Sequence, residues 1–206
     1  MLKKVGIIKN NETKVYRIFS DYISSNFLEI AKMKSSEYVS HCMGLYQNNC
    51  PKQKRSNKTN GDIFEIIIQS ELYRQNLIPM FLQANVTFVP NAIFDILYFF
   101  QTGKLRIPIT LSLKASLRER YKQADLEAFA LKHVHRKAQN YLITLDQIRN
   151  INKKIDDGEL LGLDRAIKAD SEEFDELIKK LADAKLIHPD EIEIITAKTV
   201  VTVTHK

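Results

Sequence analysis

The chain has 206 residues, of which 44% are hydrophobic, and it carries a net charge of +6 at neutral pH. This length predicts one domain with a sizeable core, and without an apolar run of about 18 residues we expect no membrane span. The two cysteines, Cys42 and Cys50, are too few for a disulfide framework, and the N-terminal apolar stretch is too short for a signal peptide. We therefore expect reduced thiols and a cytoplasmic location.

The positive charge is concentrated towards the N-terminus. Residues 1–60 carry 11 lysine and arginine residues against 4 acidic ones, whereas residues 151–206 carry 9 against 13. This distribution favours a polyanionic partner that contacts the first two thirds of the chain. A basic surface that serves only solubility would give the same distribution.

The N-terminal segment, residues 11–47, has the apolar spacing of helices. Hydrophobic residues recur at intervals of three and four, which is typical of one buried helix face. They are Val15, Ile18, Phe19, Tyr22, Ile23, Phe27 and Ile30. A second, shorter helix is predicted from Ser35 to Tyr46.

Residues 47–60 have no apolar periodicity and predict a loop or a partly disordered arm. Its cations could hold phosphates, and its amides are of the type that reads base edges. The candidate DNA contacts here are Gln47, Asn48, Asn49, Lys52, Lys54 and Arg55. A flexible solvated loop without a partner is an equally good interpretation.

The remaining elements predict a mixed sheet flanked by helices. We expect helices at 63–75, 116–138 and 171–184, with a cap for the first at Asn60-Gly61-Asp62, and strands at 86–89, 93–100, 105–113, 141–145, 163–167 and 199–204. The fold class is therefore α/β (α+β) with a mixed central sheet. Residues 1–60 would form a helical N-terminal region with a basic loop, and residues 61–206 the core.

Two charged residues lie where the pattern predicts apolar strands. Asp95 interrupts the run Ala92 to Tyr98, and Lys114 ends the strand that leads into a predicted helix. A buried charge needs a partner, so one shared polar centre would accommodate both. A structural ion pair is the alternative interpretation.

A divalent metal at such a centre would suit phosphodiester cleavage, because Mg²⁺ prefers carboxylate oxygens and water. One carboxylate is a poor site, and Ser112, two residues before Lys114 on the same strand face, supplies no charge. Arg120 and Glu127 are seven residues apart and share a face of the predicted helix. Glu127 could therefore reach the same centre as Asp95. Glu119 is a second candidate, but it lies on another face between two arginines.

The order of Asp95, Ser112-Leu113-Lys114 and Ser116-Leu117-Arg118 resembles the PD-(D/E)XK nucleases, and most closely the type II restriction endonucleases. A branch that cuts CCGG-containing sites has the local pattern Ser-x-Lys-Thr-Ser-Leu-Arg and takes its second acid from the next helix. The resemblance covers roughly residues 60–145. It has departures, since Phe94 rather than proline precedes Asp95, and Ala115 replaces threonine.

The resemblance implies a role for each site residue. Asp95 and Glu127 would bind the metal, Lys114 would assist the attacking water, and Arg120 would contact phosphate or orient the acid. Ser112 and Arg118 belong to the same motif and would contact the DNA. The family often carries an auxiliary Glu in a Gly-x-x-x-Glu pattern on the helix before the Asp strand. This pattern is matched by Gly61-Asp62-Ile63-Phe64-Glu65, which makes Glu65 the first choice for the auxiliary acid and Glu71 the second.

The expected function is a Mg²⁺-dependent, site-specific endonuclease of double-stranded DNA, without a nucleotide cofactor. A palindromic site would match a homodimer, with the N-terminal helices and the 47–60 segment as candidates for dimer contacts and base reading. The alternative is a non-catalytic DNA-binding protein or one subunit of a heteromeric nuclease. A repair or transposon-associated nuclease with little sequence preference is a third interpretation.

Overall fold

The computed structural model describes residue 7, residues 13–23, residue 30, residues 32–189 and residues 194–201. Helix α1, Lys14–Tyr22, begins at Thr13, whose side-chain oxygen accepts a 3.2 Å hydrogen bond from the Tyr16 N–H. Helix α2 spans Ser35–Asn49. Ile18 and Phe19 are buried, which confirms the predicted apolar face, whereas the predicted position Phe27 lies outside the described residues.

The predicted loop at 47–60 is largely wrong. Residues 47–49 are the last turn of α2, Lys52–Lys54 form a single 3-10 turn, and helix α3 spans Asn57–Arg74. Ser56 rather than the 60–62 turn caps α3, because its hydroxyl accepts the Thr59 N–H at 3.1 Å. The first turns of α3 are polar, so apolar periodicity begins only later and hides the true start of the helix.

Six strands form one mixed sheet with the order β5-β4-β3-β2-β1-β6. The strands are β1 (Met80–Val86), β2 (Phe94–Thr102), β3 (Leu105–Lys114), β4 (Gln139–Thr144), β5 (Arg165–Lys168) and β6 (Ile194–Val201). Pairings β1–β2, β2–β3 and β1–β6 are antiparallel, and pairings β3–β4 and β4–β5 are parallel. The predicted α/β class with a mixed sheet is confirmed.

Several boundaries differ from the prediction. The predicted strand 86–89 is wrong, since β1 ends at Val86 and Phe88 takes a left-handed turn conformation with φ of 65°. The predicted helix 116–138 is shortened to α4, Arg120–Val134, and the polar helix α5, Arg149–Asp156, was not predicted. Helix α6 spans Glu172–Asp183, close to its prediction. The predicted last strand lies partly outside the described residues.

The helices cover both faces of the sheet. Helices α1, α2, α3 and α6 pack on one face in a core that includes Phe64, Tyr98 and Phe174, while α4 and α5 cover the other face, around Ala128 and Leu142. The N-terminal helices thus share their core with the sheet. Among the described residues, no helix is long and apolar enough to cross a membrane.

Candidate active site

Asp95 and Lys114 meet at one end of the two central strands of the sheet, β2 and β3. Asp95 is the second residue of β2, Lys114 is the last residue of the antiparallel neighbour β3, and Lys114 Nζ lies 2.8 Å from Asp95 Oδ2. The Asp95 side chain is only 12% exposed and the Lys114 side chain only 8% exposed. The juxtaposition predicted from two charges in apolar strands is therefore present, as a largely buried ion pair.

Two further hydrogen bonds fix the Asp95 carboxylate. Its Oδ2 also accepts the Leu113 N–H at 2.8 Å, and its Oδ1 accepts a longer bond of 3.3 Å from Gln83 Nε2. Gln83 lies on β1 between the paired residues Leu82 and Ala84, and its φ of 50° is left-handed. Gln83 was not among the predicted site residues, although an amide within an apolar strand is the signal that could have revealed it.

Glu65 projects from helix α3 towards this pair. Two effects raise the pKa of Glu65 to about 7: chiefly desolvation by burial, and to a lesser extent repulsion from Asp95. The charges of Lys114 and Arg120 lower this pKa. The carboxyl therefore senses the charges of both members of the ion pair. Near neutral pH it exists in both protonation states.

Glu127 approaches the same centre from helix α4. It is half-buried, and its Oε1 accepts a 2.8 Å hydrogen bond from Gln123 Nε2. Burial raises the pKa of Glu127, the bond from Gln123 and the charge of Lys114 lower it, and Asp95 raises it further. Glu65 and Glu127 thus lie on different helices, but the charges of Asp95 and Lys114 shift the pKa of both carboxyl groups.

Two other candidate acids do not belong to this centre. Glu71 is fully buried, and its carboxylate accepts bonds of 2.6 and 2.8 Å from Arg74 and of 2.8 Å from Gln75. Glu119 is exposed and forms an ion pair with Lys122. The first is a structural partner inside α3, and the second is part of a surface pair.

Ser112 is buried within β3, where it pairs with Leu142 of β4. It lies on the same strand face as Lys114 because side chains two residues apart point the same way. A serine at this position brings no charge next to the ion pair. The carboxylates that surround the pair come instead from the helices α3 and α4.

A cleft of about 550 Å³ separates the N-terminal helices from the start of α4. Its lining brings together four of the predicted DNA contacts, Gln47, Arg55, Arg118 and Arg120. Asn48, Asn49 and Lys52 are exposed but do not line this cleft. The N-terminal region and the residues that follow Lys114 therefore face one another.

Two of the predicted cations are engaged within the protein. Arg55 Nε donates a 2.8 Å hydrogen bond to the Cys50 carbonyl, and Arg55 Nη2 donates to the Gln47 carbonyl. These bonds satisfy carbonyls at the end of α2. Lys54 Nζ donates a 3.0 Å bond to the Tyr22 hydroxyl. Both residues thus also hold the segment between α2 and α3.

The donor chemistry of the site suits a hard cation. Asp95, Glu65 and Glu127 offer carboxylate oxygens, and the raised pKa values of the two glutamates reflect unfavourable negative charge that a cation would relieve. Within the described part of the chain, no three His, Cys, Asp or Glu side chains are grouped so that they could hold a metal ion by themselves. Mg²⁺ commonly binds through one or two carboxylates and retains several waters, so this donor set fits it.

A relative of known function would give an independent guide to this site. No protein-family model matches the sequence, and comparisons with curated proteins and with solved structures gave no match.

Proposed function

We propose that this protein is a Mg²⁺-dependent, type II endonuclease that hydrolyses double-stranded DNA at a short palindromic site, as a homodimer. The observation that carries the proposal is the buried Asp95–Lys114 ion pair, whose charges act on a glutamate from each of two neighbouring helices. Asp95 forms an ion pair with Lys114, and the pKa values of Glu65 and Glu127 both respond to these two residues. Perturbed acids around a buried lysine are typical of functional sites.

The acids have distinct roles in this proposal. Asp95 and Glu127 would hold Mg²⁺, and Glu65 would serve as an auxiliary acid. When bound, Mg²⁺ would neutralise charge on the scissile phosphate and acidify the attacking water. Because the acids come from β2, α3 and α4, packing of these elements sets their spacing.

Lys114 would orient the attacking water and stabilise the pentavalent phosphorus. In the reaction, the attacking water would lose a proton to solvent as its oxygen bonds to phosphorus, one phosphorus–oxygen ester bond would break, and the leaving oxygen would take up a proton from solvent. The ion pair with Asp95 keeps the ammonium in place before substrate binds. Positioning of this kind accounts for much of the rate enhancement in hydrolytic enzymes.

The DNA surface would extend from the cleft to the last turn of α2. Arg118 and Arg120 are exposed and line the cleft, and the charge of Arg120 acts on Glu65, so they would contact phosphates or bases next to the cut. The exposed amides of Gln47, Asn48 and Asn49 suit base edges. Symmetry of a homodimer would match a palindromic site.

The test is incubation of the purified protein with a long unmethylated phage DNA, in Mg²⁺ and in EDTA. Discrete fragments in Mg²⁺ alone are expected, and the sequence of their ends would give the recognition site. A smear of fragments would instead favour a nuclease without sequence preference. Intact DNA in both conditions would contradict the nuclease proposal.

One observation favours a second candidate, a non-catalytic DNA-binding protein or one subunit of a heteromeric nuclease. Asp95 and Lys114 satisfy one another directly at 2.8 Å, as a purely structural ion pair does. For that candidate, intact DNA would still shift on a gel. Substitution of Glu127 would then change neither binding nor any other activity.

A further inference from the structure

The segment between β3 and α4, residues 115–119, is a short turn that begins directly after Lys114. Leu117 anchors it from the inside, since its side chain is buried against α4 and α5. The Leu117 carbonyl accepts the Arg120 N–H at 2.7 Å, and the Leu117 N–H donates to Asp146 Oδ2 at 2.6 Å. Both backbone polar groups of Leu117 are therefore fixed.

Arg118, the next residue, has a left-handed φ of 36°. This conformation is unfavourable for a non-glycine residue and persists only where the surroundings enforce it. Within the described part of the chain, the Arg118 side chain makes no hydrogen bond or ion pair of its own, and it lines the cleft. The turn is held in place by the two backbone hydrogen bonds of Leu117 and by the burial of its side chain.

Asp146 is well placed to supply this anchor. It follows β4, the parallel neighbour of β3, and lies two residues beyond Thr144, which pairs with Lys114. The Asp146 N–H donates a 3.2 Å bond to the hydroxyl of the fully buried Thr144. The backbone of Asp146 is thus tied to the end of β4 that lies next to Lys114.

We infer that Asp146 is a positioning residue for the proposed nuclease site, on whose function this inference rests. Through the Leu117 N–H it holds the turn that places Arg118 in the cleft and starts α4, the helix that carries Glu127. Asp146 itself contacts neither metal nor DNA in this role. It acts by fixing the distance between Lys114 on the strand and Glu127 on the helix.

The experiment compares Asp146→Ala, which removes the acceptor, with Asp146→Asn, which retains a side-chain oxygen. We expect Asp146→Ala to lower the single-turnover cleavage rate of the folded enzyme by about 10- to 100-fold. Asp146→Asn should recover most of that loss. Hydrogen exchange at the Leu117 amide, measured without metal, should be fast in Asp146→Ala and slow in Asp146→Asn and the wild type.

Asp175→Ala provides a matched control. Its Oδ1 accepts the backbone N–H of Ser36 at 2.8 Å, a bond of the same kind between α6 and α2. This variant should lower the melting temperature without changing the cleavage rate of the folded fraction. A purely structural Asp146 would behave in the same way.

The outcomes separate the two proposals. If the wild type cleaves DNA and Asp146→Ala cleaves at the wild-type rate, the positioning role is wrong and the proposed function stands. If the wild type cleaves nothing in Mg²⁺, the proposed function fails and the positioning role falls with it. An equal rate loss in Asp146→Ala and Asp175→Ala would also overturn the positioning role.

Discussion

Lys114 donates to the same Asp95 oxygen, Oδ2, that accepts the Leu113 N–H. One carboxylate oxygen thus ties the last two residues of β3 to the start of β2. The other oxygen, Oδ1, accepts the longer bond from Gln83. Asp95 therefore links the two strands structurally and is also one of the two proposed ligands of Mg²⁺.

The first prediction concerns the ion pair. Lys114→Met should lower the free energy of unfolding by about 3 kcal/mol, because it leaves a largely buried carboxylate without its cation. Asp95→Asn combined with Lys114→Met should recover most of this loss, since neither charge then remains. Urea unfolding at neutral pH measures both values. A double variant as unstable as Lys114→Met alone would contradict the pairing.

The second prediction separates catalysis from binding. Glu127→Gln should reduce the single-turnover cleavage rate about a hundredfold or more, which corresponds to about 2.7 kcal/mol or more of transition-state stabilisation. DNA affinity by gel shift should stay close to the wild-type value. The control is Glu172→Gln, which changes an exposed glutamate at the start of α6. If Glu127→Gln cleaves normally and Glu119→Gln does not, the helix acid is Glu119.

The third prediction follows from the pKa of Glu65, which burial and Asp95 raise to about 7. The folded state binds this proton more tightly than the unfolded state, so the stabilisation is complete below the usual pKa near 4.5 and is lost as the pH rises towards 7. Glu65→Gln should therefore unfold with a free energy on the order of 1–3 kcal/mol higher than the wild type at about pH 8. The advantage should disappear below about pH 4.5.

Denaturant unfolding at several pH values measures this difference. Glu71→Gln is the matched control on the same helix, because it weakens the bonds to Arg74 and should destabilise the protein at neutral and alkaline pH alike. A pH-independent difference between Glu65→Gln and the wild type would show that the carboxyl is not desolvated as described.

The fourth prediction concerns the salt dependence of DNA binding. Lys52 is exposed on the 3-10 turn between α2 and α3. If it contacts a phosphate, Lys52→Ala should reduce the magnitude of the slope of log K against log salt by about 0.9. Lys179→Ala, which removes an exposed cation on α6, should leave the slope unchanged. Equal slopes for all three proteins would exclude Lys52 from the DNA surface.

The ion pair could be predicted from the sequence because a buried charge is very unfavourable unless an opposite charge lies beside it. Asp95 and Lys114 stand among apolar strand residues, and pairing them removes two unfavourable charges at once. Glu127 could be assigned to a helix face by its spacing from Arg120. Its pKa shows that it senses Lys114 and Asp95, whereas its role as a metal ligand stays a prediction.

Other features have no clear local signal. The start of α3 is rich in asparagine, threonine and glycine, residues with weak helix propensity. The helix forms there because Ser56 caps it and Thr59 is buried. The role of Asp146 depends on the parallel pairing of β3 and β4. Such a long-range pairing cannot be derived from spacing along the chain.

The hairpin of β2 and β3 has a distant consequence for the site. Its pairing runs without interruption from Thr102–Leu105 to Ile96–Leu111, so the two-residue turn at Gly103 and Lys104 sets the register at the other end of this pairing, about 20 Å away. An inserted residue that slipped this register by one would turn every side chain of β3 to the opposite face. Lys114 would then point away from Asp95. The length of a surface turn remote from the chemistry thus determines whether the ion pair can form at all.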